Sequence, residues 1–200
     1  EIENSWYPDQ YSNLANPLAH MNSTGPEIWR QTEGELTHFV ATMGTGGTIS
    51  GCGNSLIIQA KNEGKNPPTI VGVDAKGSIL KEFFESGTIG IPRTYKVEGF
   101  GEDFIPPATN FEVIDEIRMV DDEDCFKMCR KLAKLEGLFC GGSCGGALKI
   151  ALDLAEEYDE LDEKAKIVVI LPDSGNPYLS KLYNDNWLKD NGFDISTWGE

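Results

Sequence analysis

One stretch limits what this chain can fold into more than any other. The apolar run Phe39-Val40-Ala41-Thr42-Met43 stops abruptly at Gly44-Thr45-Gly46-Gly47-Thr48. Its length and flanks predict a buried strand. Ile49 to Lys61 reads as a helix, and Thr69-Ile70-Val71-Gly72-Val73-Asp74 as a second strand, apolar almost to its final Asp. Strand, glycine-rich turn, helix and strand make one βαβ unit, with a right-handed crossover expected.

The rest of the chain extends the same alternation. Residues 1 to 25 are rich in Asn, Ser and Pro and read as irregular; a short helix opens at Pro26, with Thr24 or Gly25 near its cap. Residues 75 to 110 also read as irregular. Asp121 to Glu136 follows as a helix opened by acidic residues that suit its N-terminal dipole. Phe126, Cys129, Leu132, Ala133 and Leu135 form its apolar side. Leu138-Phe139-Cys140 reads as a short strand, Gly141 to Gly146 as a second glycine-rich turn, and Ala147 to Tyr158 as a helix. Ile167-Val168-Val169-Ile170-Leu171, ended by Pro172-Asp173-Ser174-Gly175, is the most strand-like run of all. Apolar strands alternating with helices predict an α/β fold, a mostly parallel sheet with helices on both faces. No internal repeat or linker interrupts it, so residues 1–200 are expected to form one structural domain.

Charge and composition exclude several function classes. A net charge of −16 argues against a nucleic-acid-binding surface, which needs a basic stripe. No apolar run approaches the ~18 residues of a membrane span. The chain begins Glu1-Ile2-Glu3 with no basic n-region, so no signal peptide is read there. The five cysteines are expected to be reduced and partly buried, with no metal site. The cytoplasm is the expected compartment.

In an open α/β sheet, ligands sit beyond the carboxyl ends of the strands. Three turns here occupy that position, 44 to 48, 141 to 146 and 172 to 175. In the first, Gly44, Thr45, Gly46, Gly47 and Thr48 aim backbone N–H groups, two hydroxyls and a positive helix end at one point. No Lys follows the glycines, so it is not a Walker loop, and the third glycine of a dinucleotide fingerprint would fall at Ile49. The turn reads as a site for a small phosphate ester, or as glycines that only permit tight helix–strand packing. In the second, Ser143 reads either as an N-cap or as a hydroxyl aimed into the same cleft.

Taken together, these turns resemble those of the fold-type-II pyridoxal-5′-phosphate (PLP) enzymes, the cysteine synthase and cystathionine β-synthase family. Gly44-Thr45-Gly46-Gly47-Thr48 matches the family's phosphate loop. Gly141-Gly142-Ser143 matches the turn whose serine hydrogen-bonds the pyridine nitrogen, and Leu171-Pro172-Asp173-Ser174 the strand end beside the ring. The resemblance runs from Glu1 to about Leu188. It implies PLP as cofactor, amino-acid substrates and a homodimer. The implied reaction is β-replacement: serine or an activated serine loses its β-group and a thiol takes its place. A neutral serine opposite the ring nitrogen suits that elimination.

Glu98-Gly99-Phe100-Gly101 resembles the E-G-x-G of the cystathionine β-synthases, where cysteine synthases tend to carry Gln. Asp173 and Lys181-Leu182-Tyr183-Asn184-Asp185-Asn186-Trp187 lean the same way. The implied second substrate is therefore homocysteine; the alternatives are a cysteine synthase using sulfide and a non-catalytic module of the same fold. Gln10 matches a substrate-side glutamine, beside Glu98, Gly99 and Phe100. Two positions depart from the pattern: Glu102 stands where animal members carry a tyrosine near the substrate, and Cys144 where many relatives have a small residue. The family's Schiff-base lysine belongs to its N-terminal half, so no catalytic lysine is nominated here; Lys61, Lys65, Lys76 and Lys81 lie in polar stretches. By that resemblance the 200 residues are the C-terminal portion of a catalytic core, expected to be inactive alone.

Overall fold

The structure, a computed structural model, describes residues 2–162 and 164–198. Glu1, where the resemblance begins, lies outside them. The sheet has strands β1 (His38–Thr42), β2 (Thr69–Ala75), β3 (Glu116–Val120) and β4 (Ile167–Val169) in the order β3-β2-β1-β4. All three pairings are parallel, with Phe39 opposite both Ile70 and Val168. This is the α/β fold with a parallel sheet that the alternation predicts.

Alternate residues of the central strands feed two separate cores, as the period of two demands. Val40, Val71, Val73 and Ala75 face helices α5 (Asp122–Glu136) and α6 (Gly142–Glu160), packing with Phe126, Cys129, Ile150 and Leu154. Phe39, Ala41, Met43 and Ile70 face the other layer, helices α2 (Thr24–Gln31), α3 (Gly47–Glu63) and α4 (Leu80–Ser86), with Trp29, Ile49, Leu56 and Leu80. Helices therefore cover both faces.

Several local expectations are corrected. Ala15–Asn22 is a helix, α1, inside the stretch read as irregular. None of its residues is buried, so it carries no apolar stripe for a periodicity to reveal. α4 likewise sits inside 75 to 110. β3 was hidden because it is an edge strand whose Glu116 and Arg118 alternate with Ile117; Arg118 pairs bidentately with Glu157 of α6, Nη1 to Oε1 at 2.6 Å. Leu138-Phe139-Cys140 is not a strand; only an isolated antiparallel bridge joins Cys140 to Ser174. On α5, Cys125 takes the buried place expected for Leu135, which is 62% exposed.

The most consequential correction concerns α6, which starts at Gly142 rather than Ala147. Three glycines in two turns are poor helix formers, yet tertiary packing requires them. A Cβ on Gly145 would lie 2.0 Å from the Cys125 carbonyl oxygen, and one on Gly142 would lie 2.7 Å from Val97 Cγ2. Close approach to α5 and to residue 97 overrides propensity and draws Ser143 into the first helical turn.

All five cysteines are free and buried. Burial pushes the Cys52 thiol up to about 12, so it is protonated at neutral pH and no ready nucleophile. Among the described residues no cluster suits a metal ion, and no helix is long and apolar enough to cross a membrane.

Candidate functional site

A cavity of about 510 Å³ opens at the carboxyl ends of β1 and β4, where an open parallel sheet places its ligands. Its floor is the turn from β1 into α3. Gly46 holds φ at +77°, and a Cβ there would lie 1.8 Å from Thr109 Oγ1, so only glycine fits. A Cβ on Gly47 would fall 2.0 Å from Asn16 Oδ1; the Asn16 side chain occupies that space instead. Two outside contacts steady the turn. Asn16 Nδ2 donates to Thr45 Oγ1 at 3.0 Å and to the Gln10 carbonyl at 2.8 Å, and Thr109 Oγ1 donates to the Thr45 carbonyl at 3.4 Å.

The first turn of a helix leaves its N–H groups without intrahelical partners. Here the Ser50 N–H reaches the Gly46 carbonyl at 3.0 Å and the Gly47 N–H reaches Thr45 Oγ1 at 3.4 Å. Among the described residues the N–H groups of Thr48 and Ile49 have no acceptor. Free donors, the positive end of a 17-residue helix and a glycine-walled approach suit this turn to an anion. Thr48 Oγ1 lies 3.3 Å from His20 Nε2, and His20 Nδ1 lies 3.0 Å from Thr24 Oγ1. Burial lowers the His20 pKa, so the ring is neutral there.

Ser143 sits in the first turn of α6, 3% exposed. The N-cap alternative fails: Gly141 holds the cap position, and the Ser143 hydroxyl has no hydrogen-bond partner among the described residues. A Cβ on Gly99, a residue of the cavity wall, would lie 3.9 Å from Ser143 Oγ. Ser143 thus stands just behind Gly99, with a hydroxyl whose hydrogen-bonding capacity is unused.

Of the other residues singled out in the sequence, Gln10, Glu98, Gly99, Phe100 and Pro172 line the same cavity. Asp173 does not. Its Oδ2 accepts from the Tyr178 hydroxyl at 2.7 Å, and its Oδ1 would lie 2.3 Å from a Cβ on Gly141. The carboxylate therefore braces the N-terminus of α6, where a negative charge is favourable, two residues before Ser143. Glu98 is paired with Lys181, linking the wall to the 181 to 187 segment. Cys144 Sγ approaches Asp173 Oδ1 at 3.4 Å, away from the cavity lining.

Sequence reasoning missed Tyr95, Asn16, Thr109 and His20. Each acts across tens of residues of chain, and no local pattern marks it. Tyr11, Tyr95 and Glu102 complete the wall. Burial raises the Glu102 pKa, against the Tyr11 hydroxyl interaction that lowers it, and pushes Tyr95 up to about 12. Among the described residues no lysine lines the cavity; Lys65, Lys76 and Lys81 are paired with Glu63, Asp121 and Glu85.

Comparison with known proteins bears on this geometry. A family model described as pyridoxal-phosphate dependent enzyme matches residues 1–173. The cystathionine beta-synthase of Apis mellifera is 43% identical over 194 residues, covering 96% of this chain and 36% of that protein. The Saccharomyces cerevisiae cystathionine beta-synthase is 41% identical over 196 residues, covering 96% and 38%. A cysteine synthase of Buchnera aphidicola is 37% identical over 185 residues, 92% of this chain and 56% of that protein. The chain spans about a third of the length of the cystathionine beta-synthases it matches.

Proposed function

The chain belongs to the pyridoxal-phosphate dependent enzymes, and from that premise we propose that it supplies the cofactor-holding part of an enzyme that condenses serine with homocysteine. The products are cystathionine and water: the serine hydroxyl leaves with the thiol proton, and a carbon–sulfur bond replaces the carbon–oxygen bond. This is a step of transsulfuration toward cysteine. One observation carries the reading, the pairing of an anion cradle at Gly44 to Thr48 with the partnerless Ser143 hydroxyl on a second helix N-terminus.

The residues fit PLP at both ends. The cradle would hold the phosphate, through the N–H groups at the start of α3 and the Thr45 and Thr48 hydroxyls. The Ser143 hydroxyl would hold the pyridine nitrogen, a neutral partner that would leave the ring without a fixed positive charge. Bound PLP supplies an electron sink that labilises the bond from the amino acid's β-carbon to its substituent. Pro172, on the cavity wall, would lie beside the ring, and Asp173 keeps the α6 terminus in place through Tyr178 and Gly141. Gln10, Glu98, Gly99 and Phe100 form the substrate side, with Glu98 oriented by Lys181. The Schiff-base lysine is assigned to a segment preceding residue 1, in line with the share of the relatives' length that the chain spans. A cytoplasmic homodimer is part of the same proposal, checked by light scattering and fractionation of the full-length protein.

A cysteine synthase acting with sulfide is the second reading, favoured by the 37% identity to the Buchnera protein. Glu98 and Asp173 support the first. Borohydride reduction of the full-length protein, followed by peptide mass analysis, is the deciding test. A pyridoxyl-modified lysine with cystathionine formed from serine and homocysteine supports the proposal. Cysteine formed from sulfide, with no cystathionine, supports the second reading. No adduct with PLP in excess leaves a non-catalytic module.

A further inference from the structure

Glu102 is held on the cavity wall by its own backbone. Its N–H donates to Ser78 Oγ at 2.9 Å and its carbonyl accepts from the Ile79 N–H at 3.1 Å, while the Gly101 N–H is fixed to the Met43 carbonyl at 2.7 Å. Gly101 has φ at +79°, the left-handed turn that sends residue 102 back toward the start of the cradle. A point one Cβ bond out from Gly44 lies 3.8 Å from Glu102 Oε1 and 3.1 Å from the Gly99 carbonyl oxygen. The carboxylate and that carbonyl therefore face the same small volume, and among the described residues the Gly99 carbonyl accepts from no donor.

The charge around Glu102 is uncompensated. The other wall carboxylate, Glu98, has Lys181. Among the described residues no Lys, Arg or His pairs with Glu102. Its polar neighbour is the Tyr11 hydroxyl, and the charges nearest it, Asp103 and Asp74, have its own sign. A half-buried anion without a counter-charge is costly unless the ligand brings one. A metal ion does not fit, because the described residues offer no group of three metal-ligating side chains. An ammonium fits: it donates hydrogen bonds, and Glu102 Oε1 and the Gly99 carbonyl, which face the same volume, can accept two of them. The first amino acid would join the cofactor through its own α-amine, so the ammonium is assigned to the second substrate.

We propose that Glu102 is a specificity-determining residue that receives the α-ammonium group of an amino-acid thiol and disfavours anionic nucleophiles such as hydrosulfide. This rests on the β-replacement reading above and names the class of its second substrate. A carboxylate beside the approach path repels hydrosulfide and attracts a zwitterionic thiol, so the same group sets preference in both directions.

Steady-state rates of the PLP-loaded full-length protein, with serine saturating, test this using homocysteine and 4-mercaptobutyrate, which differs only in lacking the ammonium. The wild type is expected to show a KM for 4-mercaptobutyrate about ten-fold or more above that for homocysteine, the size of one lost charge-assisted hydrogen bond. Glu102→Gln is expected to raise the homocysteine KM about ten-fold with kcat nearly unchanged, and to lower the KM for the anions 4-mercaptobutyrate and hydrosulfide. Equal shifts for both thiols, or none, overturn the assignment. Should the variant not fold, the wild-type comparison decides alone, since equal KM values for the two thiols overturn it. A wild type that forms no thioether with either thiol overturns the β-replacement reading and this proposal together. Thioether formation without discrimination overturns only the role of Glu102.

Discussion

Asn16 Nδ2 donates to Thr45 Oγ1 at 3.0 Å, tying an exposed helix that carries no buried residue to the anion cradle at the end of β1. The same amide holds the Gln10 carbonyl and fills the space a Gly47 side chain would need. One side chain thus couples the Gln10 segment to the 44–48 turn. Asn16→Ala is expected to weaken PLP binding about five- to thirty-fold, the loss of roughly 1–2 kcal/mol from a part-buried hydrogen bond whose partner is left unmet. Fluorescence titration of the full-length protein with PLP measures it; an unchanged Kd would remove Asn16 from the site.

Gly46 and Gly64 separate steric exclusion from backbone strain. Both have positive φ, +77° and +66°, but only Gly46 faces an obstacle, Thr109 Oγ1 at 1.8 Å from the built Cβ, whereas Gly64 has nothing within 4 Å. Gly64→Ala should cost about 1–2 kcal/mol of stability, the left-handed penalty alone. Gly46→Ala should cost about 3 kcal/mol or more and abolish tight PLP binding, since the cradle must shift. Chemical denaturation of both variants, beside a PLP titration, checks the contrast.

Among the described residues the Ser143 hydroxyl makes no hydrogen bond, so its removal should spare the fold and show only with the cofactor. Ser143→Ala is expected to change stability by less than about 0.5–1 kcal/mol without PLP and to weaken PLP binding about two- to twelve-fold, one neutral hydrogen bond. A shift of the cofactor's absorbance band should accompany it. Loss of stability in the cofactor-free variant would mark Ser143 as structural.

His38 sets a pH dependence. It is 3% exposed on β1, with Nδ1 at 2.9 Å from Thr37 Oγ1 and its ring edge-on to Tyr158 at 4.7 Å. Burial holds its pKa below the ordinary 6.5. The unfolded state therefore binds the proton first as pH falls, and the unfolding free energy drops below about pH 6.5 until the folded-state pKa is passed. Denaturation midpoints at pH 7.5 and 5.5 should show the loss, and His38→Phe should reduce it. An identical pH dependence in the variant would assign the effect to other groups.

Legibility in the sequence followed locality. β1, β2 and the core of β4 are apolar runs between turn residues, and their period and flanks suffice. The cradle was readable because five consecutive residues carry it. α1 was not, since none of its residues is fully buried, and β3 was not, since an edge strand keeps polar side chains toward α6. Ser143 was found through its turn, but its helical position was hidden by glycines that local propensity reads as loop.

The order of chemistry along this chain was determined by sequence alone: a buried parallel strand, a glycine turn suited to an anion, and a serine on a second glycine-rich turn. Local steric freedom and hydrophobic period act over a few residues, and the sequence displays them directly. Tertiary structure alone decided that Asn16 clamps Thr45, that Asp173 braces α6 instead of lining the cavity, and that Glu102 faces the cradle with no counter-charge among the described residues. Those relations join residues 29 to 58 positions apart through packing of one layer on another, and no local pattern encodes where such layers meet.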